Sequence, residues 1–455
     1  MNAVLLAPSQ QAPDKYSIKT APVYSIGLLL SLYLAQGLPV GFLTQALPAI
    51  LRKNNVSLAA IGGFGLLMAP WALKFLWAPV VDRYFSPQWG QSRSWIIPTQ
   101  FLTILLLVVI SFLEPSALAS PVILLSFFIV LFLINLMGAT QDIATDGLAV
   151  RLLQTQQQHW GNAVQVLGSR LGFIFGGGAV LLLLDLWSWQ VVFLLLTGFV
   201  LLNSLPILWF REPVWPQTQV DLKPTATSKL ALSRPAFTLK KWRKFFAVEF
   251  AYFWHNPQMR AWLLILLTFK LGDSLSGAMV KPMMVDMGYT LANIGLMASM
   301  LGSVASVMGA LLAAWWMKYM ARSTALWWFN LFQILSFLLY AILAWQFEHS
   351  HSVVAWQVYS VNAIEQFAGA MALVAMLTLI MDYSRKQQAG SDFTFQVSVL
   401  AVTGGGVHIV SGIVAEYWGY SIHFAFCALL AGACLWPILR WRKLIKDEKF
   451  ESNNE

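Results

Sequence analysis

Two aspartates, Asp142 and Asp146, lie at the end of an apolar run in the stretch GATQDIATDGLAV at residues 138–150. Residues four apart are one turn apart on a helix, so the two carboxylates would share a face. An ionised carboxylate is costly in hydrocarbon, and a membrane helix that keeps one uses it in a substrate or proton pathway. The pair therefore indicates transport chemistry, provided that the run around it spans a membrane.

Further ionisable residues interrupt apolar runs in the same way. They are Lys74, Arg170, Lys270, Asp273, Glu365 and His408. At a helical rise of ~1.5 Å per residue, Lys74, Asp142 and Arg170 lie ~12–15 Å from the inner surface. Asp142 then has two candidate cationic partners, Lys74 and Arg170. Such pairs either form part of a substrate pocket or proton relay, or simply lock helices together.

The second half of the chain carries its own charged group. Lys270 and Asp273 are three residues apart and can share a helix face. Glu365, in NAIEQFAGAM, has no obvious partner nearby in the sequence and is the best candidate for a proton carrier. A histidine such as His408 titrates near neutrality, but the pattern favours a satisfied core histidine over a proton carrier.

Asp146 is shallower than Asp142, ~7.5 Å from the inner surface. Together with Asp82 and Arg83 in WAPVVDRY, it is predicted to form cytoplasmic gate contacts that break as the two halves of a carrier move.

The composition supports the membrane setting. Of 455 residues, 58% are hydrophobic and 11% are charged, whereas soluble domains carry about 25% charged residues. Runs of roughly 20 apolar residues are long enough to span a bilayer. Twelve such spans are predicted, at 22–46, 58–81, 95–113, 121–150, 161–184, 189–210, 260–285, 291–318, 324–346, 352–381, 393–416 and 421–440.

The basic residues fix the expected orientation. If both termini are cytoplasmic, 23 of the 29 lysines and arginines fall on the cytoplasmic side, as the positive-inside rule requires. The net charge of +9 therefore reflects topology and gives no reason to expect nucleic-acid binding.

The spans divide into six and six. The expected organisation is a cytoplasmic tail (1–21), a six-helix bundle (22–210), a central cytoplasmic loop with a basic amphipathic helix (211–259), a second six-helix bundle (260–440) and a cytoplasmic tail (441–455). SLAAIGGFGLL at 57–67 resembles TLANIGLMASM at 290–300, at the start of the second span of each half. This layout is typical of major facilitator transporters, whose substrate site lies between the halves.

Enzyme chemistry has no support in the sequence. It contains no nucleophile elbow and no cluster with metal-ligand spacing, and no cofactor is expected. The glycine groups, such as Gly176 to Gly178, lie within apolar spans, which favours close helix packing over a phosphate loop.

Several motifs resemble one family. LKFLWAPVVDRY (73–84), FLEP (112–115), TQDIATD (140–146), VLGSRLG (166–172), FKLGD (269–273) and IEQFAGAM (364–371) are similar to the AmpG-type permeases of the major facilitator superfamily. The resemblance implies an all-α fold, proton-driven import across the bacterial inner membrane, and a cell-wall muropeptide as substrate. Related branches carry ferric siderophores, and a eukaryotic branch is associated with acetyl-CoA.

Two stretches depart from the muropeptide permeases. After Asp146 the chain continues GLAVRLL, where those permeases have an aromatic and further charged residues, and the loop GQSRSW is less rich in arginine. QDIATDGLAV is more similar to the siderophore-importing branch.

The sequence thus predicts a monomeric, multi-pass secondary transporter that imports a sizeable polar solute by proton symport. Lys74, Arg170 and Lys270 would attract anionic groups of the substrate. Two alternatives remain open: a transport-inactive membrane sensor or scaffold, and a drug exporter. A largely apolar pocket is typical of the exporter and fits poorly with several buried cations.

Overall fold

The computed structural model describes residues 22–47, 50–51, 64–113, 120–213, 250–255, 257–294, 300–350 and 353–452. Within these ranges the regular structure is entirely helical. The N-terminal tail and the proposed basic segment at 240–249 lie outside the described residues.

In the N-terminal half, defined here as residues 22–213, the described ranges form eight helices. They are α1 (Pro22–Gly41), α2 (Ala69–Leu73), α3 (Ala78–Arg83), α4 (Arg93–Ser111), α5 (Pro121–Leu152), α6 (Gln158–Phe173), α7 (Val180–Leu186) and α8 (Trp189–Trp209). Short π-helices continue α1 over Phe42–Ala46 and join α6 to α7 over Ile174–Ala179.

In the C-terminal half, residues 250–452, nine helices occur in the part of the chain that the structure describes. They are α9 (Tyr252–His255), α10 (Pro257–Phe269), α11 (Leu271–Asp286), α12 (Leu291–Ile294), α13 (Gly302–Trp316), α14 (Arg322–Ser350), α15 (Ala355–Asp382), α16 (Ala389–Ala433) and α17 (Leu435–Ser452). The long α16 contains a kink at Gly419, whose φ of 78° is open to glycine without strain. The helix that begins at Leu435 runs well past residue 440, where the last span was predicted to end.

Nine helical segments of the described chain are long and apolar enough to cross a membrane, and Leu66–Leu76 and Gly302–Trp316 are shorter apolar helices. The second predicted span is broken into short pieces because Pro70 and Pro79 each remove a helical hydrogen-bond donor.

Both lysines of the predicted site lie at helix interruptions. Lys74 begins a short 3-10 segment between α2 and α3. Lys270 separates α10 from α11, with φ −89° and ψ −1°. In a membrane, irregular backbone is tolerated where it faces protein or a polar cavity. The two breaks thus place lysines where the helical ladder is already interrupted.

Glycines allow α1 and α6 to pack backbone against backbone. A Cβ atom on Gly172 would lie 2.4 Å from Cα of Gly37, and one on Gly168 would lie 2.8 Å from Cβ of Tyr33. Small residues at four-residue spacing favour this type of contact between membrane helices. The contact fixes the relative rotation of two helices that carry Tyr33, Gln36, Gln165 and Arg170.

The two halves meet through a limited set of helices. In the described residues, α6 contacts α13 and α15, and α16 contacts α3 and α5. All described hydrogen bonds between the halves lie at one end of the bundle, here called the closed end and marked by Asp82, Arg151, Arg322 and Ser391.

We predict that Gly172→Val destabilises the fold, because the added methyl groups overlap the α1 backbone. Overpacking of this kind typically costs about 1–3 kcal/mol. Gly178→Val is the matched control, since a Cβ atom there has no neighbour within 4 Å. The measurement is the unfolding midpoint of the detergent-purified protein; equal midpoints for the two variants would contradict the packing account.

Candidate functional site

The first charged group lies inside the N-terminal half. The Lys74 ammonium forms an ion pair with Asp142, and the two side chains are only 4% and 10% exposed. The indole of Trp71, one turn before Lys74, lies with its ring centre 5.7 Å from the ammonium. A buried ion pair of this kind neutralises two charges that would each be costly alone.

Asp146 belongs to the same group, one turn along α5. It is 1% exposed. Its Oδ1 accepts hydrogen bonds from the Tyr33 hydroxyl at 2.9 Å and from Gln165 Nε2 at 3.2 Å. Both donors are in the N-terminal half, and no described hydrogen bond links Asp146 to the C-terminal half. The expected place beside Asp82 in the gate is therefore not the place where the structure puts this carboxylate.

Asp82, in contrast, bridges the two halves at the closed end. Its carboxylate accepts hydrogen bonds from the Ser391 amide at 2.6 Å, the Ser391 hydroxyl at 2.7 Å and the Gly390 amide at 3.3 Å. These amides lie in the first turn of α16, where a helix favours negative charge. Arg151 lies 3.5 Å from Asp82 and donates to Ser92 Oγ at 2.8 Å. Arg83, the other predicted gate residue, is exposed on this surface.

A second polar contact between the halves is centred on Arg322. It forms an ion pair with Asp382 in its own half and donates to Gln158 Oε1 at 2.8 Å and to the Thr155 carbonyl in the other half. Nearby, Asn162 Nδ2 donates to Thr378 Oγ1 at 3.1 Å. Sequence reasoning missed Arg151 and Arg322 because residues at span ends were counted only toward topology.

The second charged group lies in the C-terminal half. Lys270 Nζ is 2.5 Å from Asp273 Oδ2, and Gln333 Nε2 donates to Asp273 Oδ1 at 2.6 Å. Glu365 is 5% exposed and accepts a hydrogen bond from Gln366 Nε2 at 2.9 Å. No ion pair to Glu365 occurs in the described part of the chain, although it lies within electrostatic reach of Lys270 and Arg170.

Arg170 corrects one expectation. It was a candidate second partner of Asp142, but no ion pair joins the two in the described residues, and Arg170 lies within electrostatic reach of Glu365 and Asp273 of the C-terminal half. The reason is rotation about α6. Gly168 and Gly172 face α1, and a residue two positions from each points to the opposite side of the helix. Arg170 therefore faces the second half, with its guanidinium 5.9 Å from the ring centre of Phe173.

His408 lies within α16, but its side chain falls outside the described residues, so its predicted role stays a prediction.

Each half also encloses a small cavity with room for about one water molecule. Gln36, Asn135 and Gln141 line the first cavity, and Asp273 and Gln333 line the second. Within the described residues, no group of three or more His, Cys, Asp or Glu side chains is arranged to hold a metal ion.

The chain was compared with protein families and curated proteins. The family model described as acetyl-coenzyme A transporter 1 matches residues 25–188. The anhydromuropeptide permease of Escherichia coli K12 is 27% identical over 434 residues, covering 94% of this chain and 81% of that protein. The putative transporter AmpG 4 of Rickettsia conorii is 24% identical over 422 residues, covering 91% and 96%.

Solved structures show the fold. The major facilitator superfamily transporter FucP, in the outward conformation, superposes with a TM-score of 0.61 at 16% identity, covering 93% of this chain and 99% of that one. A bacterial homologue of the iron transporter ferroportin, in an outward-facing state, gives 0.63 at 14% identity, covering 92% and 99%. The chain therefore has the major facilitator fold.

We predict that Asp82→Asn weakens the closed end. Loss of a charge-assisted hydrogen bond costs about 1.5–3 kcal/mol, so the population with the halves apart should rise about tenfold or more. The measurement is the distance between spin labels at Thr155→Cys and Ala321→Cys, both exposed on opposite halves, in a Cys434→Ala background.

The control for this experiment is Asp286→Asn. Asp286 also accepts a hydrogen bond, from Tyr420 at 2.6 Å, but both residues belong to the C-terminal half. An unchanged distance distribution in Asp82→Asn, matching that of the control, would show that Asp82 does not hold the halves together.

Proposed function

We propose that this chain imports anhydromuropeptides together with protons. The chain is an AmpG-type permease of the major facilitator superfamily. It is a multi-pass secondary transporter of the bacterial inner membrane and not an enzyme. Muropeptides are large, carry peptide carboxylates and suit a site that combines buried cations with polar side chains. The proposed orientation has both termini in the cytoplasm. The closed end is then the cytoplasmic gate.

The observations that carry the proposal are the position of Arg170, on the side of α6 opposite the glycines that face α1, and the burial of Glu365 without an ion pair in the described residues. Lys270 already neutralises Asp273 through their ion pair. Arg170 has no ion pair in the described residues, and we propose that it is the cation that balances Glu365. A substrate carboxylate that binds Arg170 competes with Glu365 for this charge.

Such competition couples substrate to proton. Once the substrate carboxylate holds Arg170, Glu365 is left buried without a compensating cation and takes up a proton from the outside. The loaded site is then electrically balanced, and the halves can rearrange around it. After release of the substrate to the cytoplasm, Glu365 loses its proton, and its charge is again balanced by Arg170.

The departure GLAVRLL after Asp146 does not argue against a muropeptide. Leu148, Ala149 and Val150 are almost completely buried. A Cβ atom on Gly147 would lie 3.0 Å from the Gly390 amide nitrogen of the other half. Helix packing at the closed end therefore explains why these residues are small or apolar. A ferric siderophore, favoured by the similarity of QDIATDGLAV, is the second candidate substrate and serves as the competing substrate in the uptake experiment.

We predict that Glu365→Gln abolishes proton-driven accumulation but keeps exchange of labelled for unlabelled anhydromuropeptide across the membrane. A permanently neutral side chain leaves Arg170 free for substrate but offers no site for a proton to leave. The measurement is uptake into proteoliposomes with an imposed pH gradient, with a ferric siderophore tested in parallel.

Glu348→Gln is the control for this experiment, because Glu348 bonds to Ser421 away from Arg170. Wild-type accumulation by Glu365→Gln at every pH would rule out Glu365 as the coupling residue. Uptake of the siderophore but not the muropeptide would replace the proposed substrate, and uptake of neither would favour a sensor or scaffold.

A separate experiment tests whether the Lys74–Asp142 pair only holds helices together or takes part in transport. Lys74→Met alone should destabilise the protein by about 3–5 kcal/mol, because it leaves Asp142 without its ion-pair partner. Adding Asp142→Val should restore much of the stability, since an apolar pair replaces a buried ion pair. We expect this double variant to fold without accumulating substrate, measured by unfolding midpoint and uptake. Full uptake by the double variant would assign the pair a purely structural role.

A further inference from the structure

We propose that the carboxyl groups of Asp142 and Asp146, here called the acid pair, share one proton while the closed end is shut and release it when that end opens. The proposal adds a second proton site to Glu365 and rests on the proposed proton symport. It assigns Asp146 a role in proton binding in place of the predicted gate contact.

The charge around the acid pair does not balance without a proton. Lys74 forms an ion pair with Asp142 and also lies within electrostatic reach of Asp146. One ammonium therefore faces two carboxylates, which are 7% and 1% exposed for Asp142 and Asp146. A net negative charge buried to this degree is costly, and one bound proton removes it.

The titratable groups that face Asp146 are Tyr33 from α1, Lys74 from the break before α3, and Asp142 on its own helix. Other charges on helices that contact α5 have partners elsewhere. Asp82 pairs with Arg151, Asp392 with Arg385, and Arg170 lies near Glu365. Arg93 donates to the Leu208 carbonyl. None of these described contacts supplies a second cation to the acid pair.

Hydrogen bonds identify the oxygen that is available for the proton. Tyr33 and Gln165 both donate to Oδ1 of Asp146, and Lys74 occupies Oδ2 of Asp142. No described hydrogen bond uses Oδ2 of Asp146. A proton on this oxygen lies on the same helix face as Asp142, one turn away, so the two carboxyls can share it.

The acid pair is mechanically connected to the closed end through α5. Gly147, the residue after Asp146, abuts Gly390 of the other half. Arg151, slightly more than one turn further, pairs with Asp82, which holds the first turn of α16. Separation of the halves removes α16 from this part of α5 and admits water. The O–H bond of the shared carboxyl then breaks, the proton passes to cytoplasmic water, and the carboxylate left behind is solvated.

Infrared spectroscopy of the protein in lipid vesicles at neutral pH tests the shared proton, because protonated carboxyls and carboxylates absorb at different frequencies. Asp146→Asn should lose one protonated-carboxyl band relative to wild type. Asp142→Asn should lose the same band, because Lys74 then neutralises the single remaining carboxylate. Asp286→Asn, outside the acid pair, should keep the band. Persistence of the band in either acid-pair variant overturns the proposal.

Spin labels at Thr155→Cys and Ala321→Cys test the link to opening. In wild type the ratio of open to closed molecules should rise with pH, by up to about tenfold per unit for one released proton. Asp146→Asn should lose most of this response, and Glu365→Gln should keep it. A wild-type pH response in Asp146→Asn overturns the proposal. Neither readout uses a substrate, so a failure of anhydromuropeptide uptake would contradict the proposed function separately.

Discussion

An ionised side chain among membrane helices needs an opposite charge or a proton, and this requirement organises the whole molecule. Lys74 and Lys270 each neutralise an aspartate in their own half, at points where the helical backbone is already interrupted. Within the two charged groups, Asp146 and Glu365 have no ion pair in the described residues. We propose that the charge of these two acids depends on events elsewhere: substrate binding for Glu365 and opening of the closed end for Asp146.

Close packing determines which charges can meet. The glycine contact between α1 and α6 turns Gln165 toward Asp146 and Arg170 toward the second half. At the closed end the halves touch through Gly147 and Gly390, through a few polar groups, and through an apolar cluster that joins Ala163 and Val164 of α6 to helices of the second half. Each half also has extensive apolar contacts inside it. The polar contacts, with water available on one side, can be exchanged at low cost when the halves move.

Much of this architecture follows from the sequence. Apolar runs predict helices such as α5 and α8 to within a few residues, but not the broken second span or the bounds of α16 and α17. Helical spacing predicts the Lys270–Asp273 pair. Depth along a helix also places Lys74 near Asp142. The depth of a residue does not determine how its helix is rotated about the helix axis, however, because that rotation depends on the neighbouring helices. For that reason Arg170 was assigned to Asp142, and Asp146 was grouped with Asp82. Pro70 and Pro79 are residues that interrupt a helix, so the sequence contains a reason for the break in the second span. Nothing in the local sequence shows that Lys74 lies at this break.

The partners of the closed end were harder to foresee. Ser391 binds Asp82 through its backbone amide and its hydroxyl. Because nearly every residue has a backbone amide, the sequence does not show which amide will bind a carboxylate. Arg322 looks like a topology-setting charge at a span end until the fold brings it to the Thr155 carbonyl and Gln158. Contacts between residues more than 150 positions apart depend on the arrangement of the two halves, which local patterns do not encode.

The central claim is that binding of an anionic substrate drives proton uptake. Proteoliposomes with a pH-sensitive dye inside and no imposed gradient test it directly. Addition of anhydromuropeptide outside should acidify the interior in wild type, in proportion to the substrate that enters. Substrate entry without any change in internal pH would contradict the account.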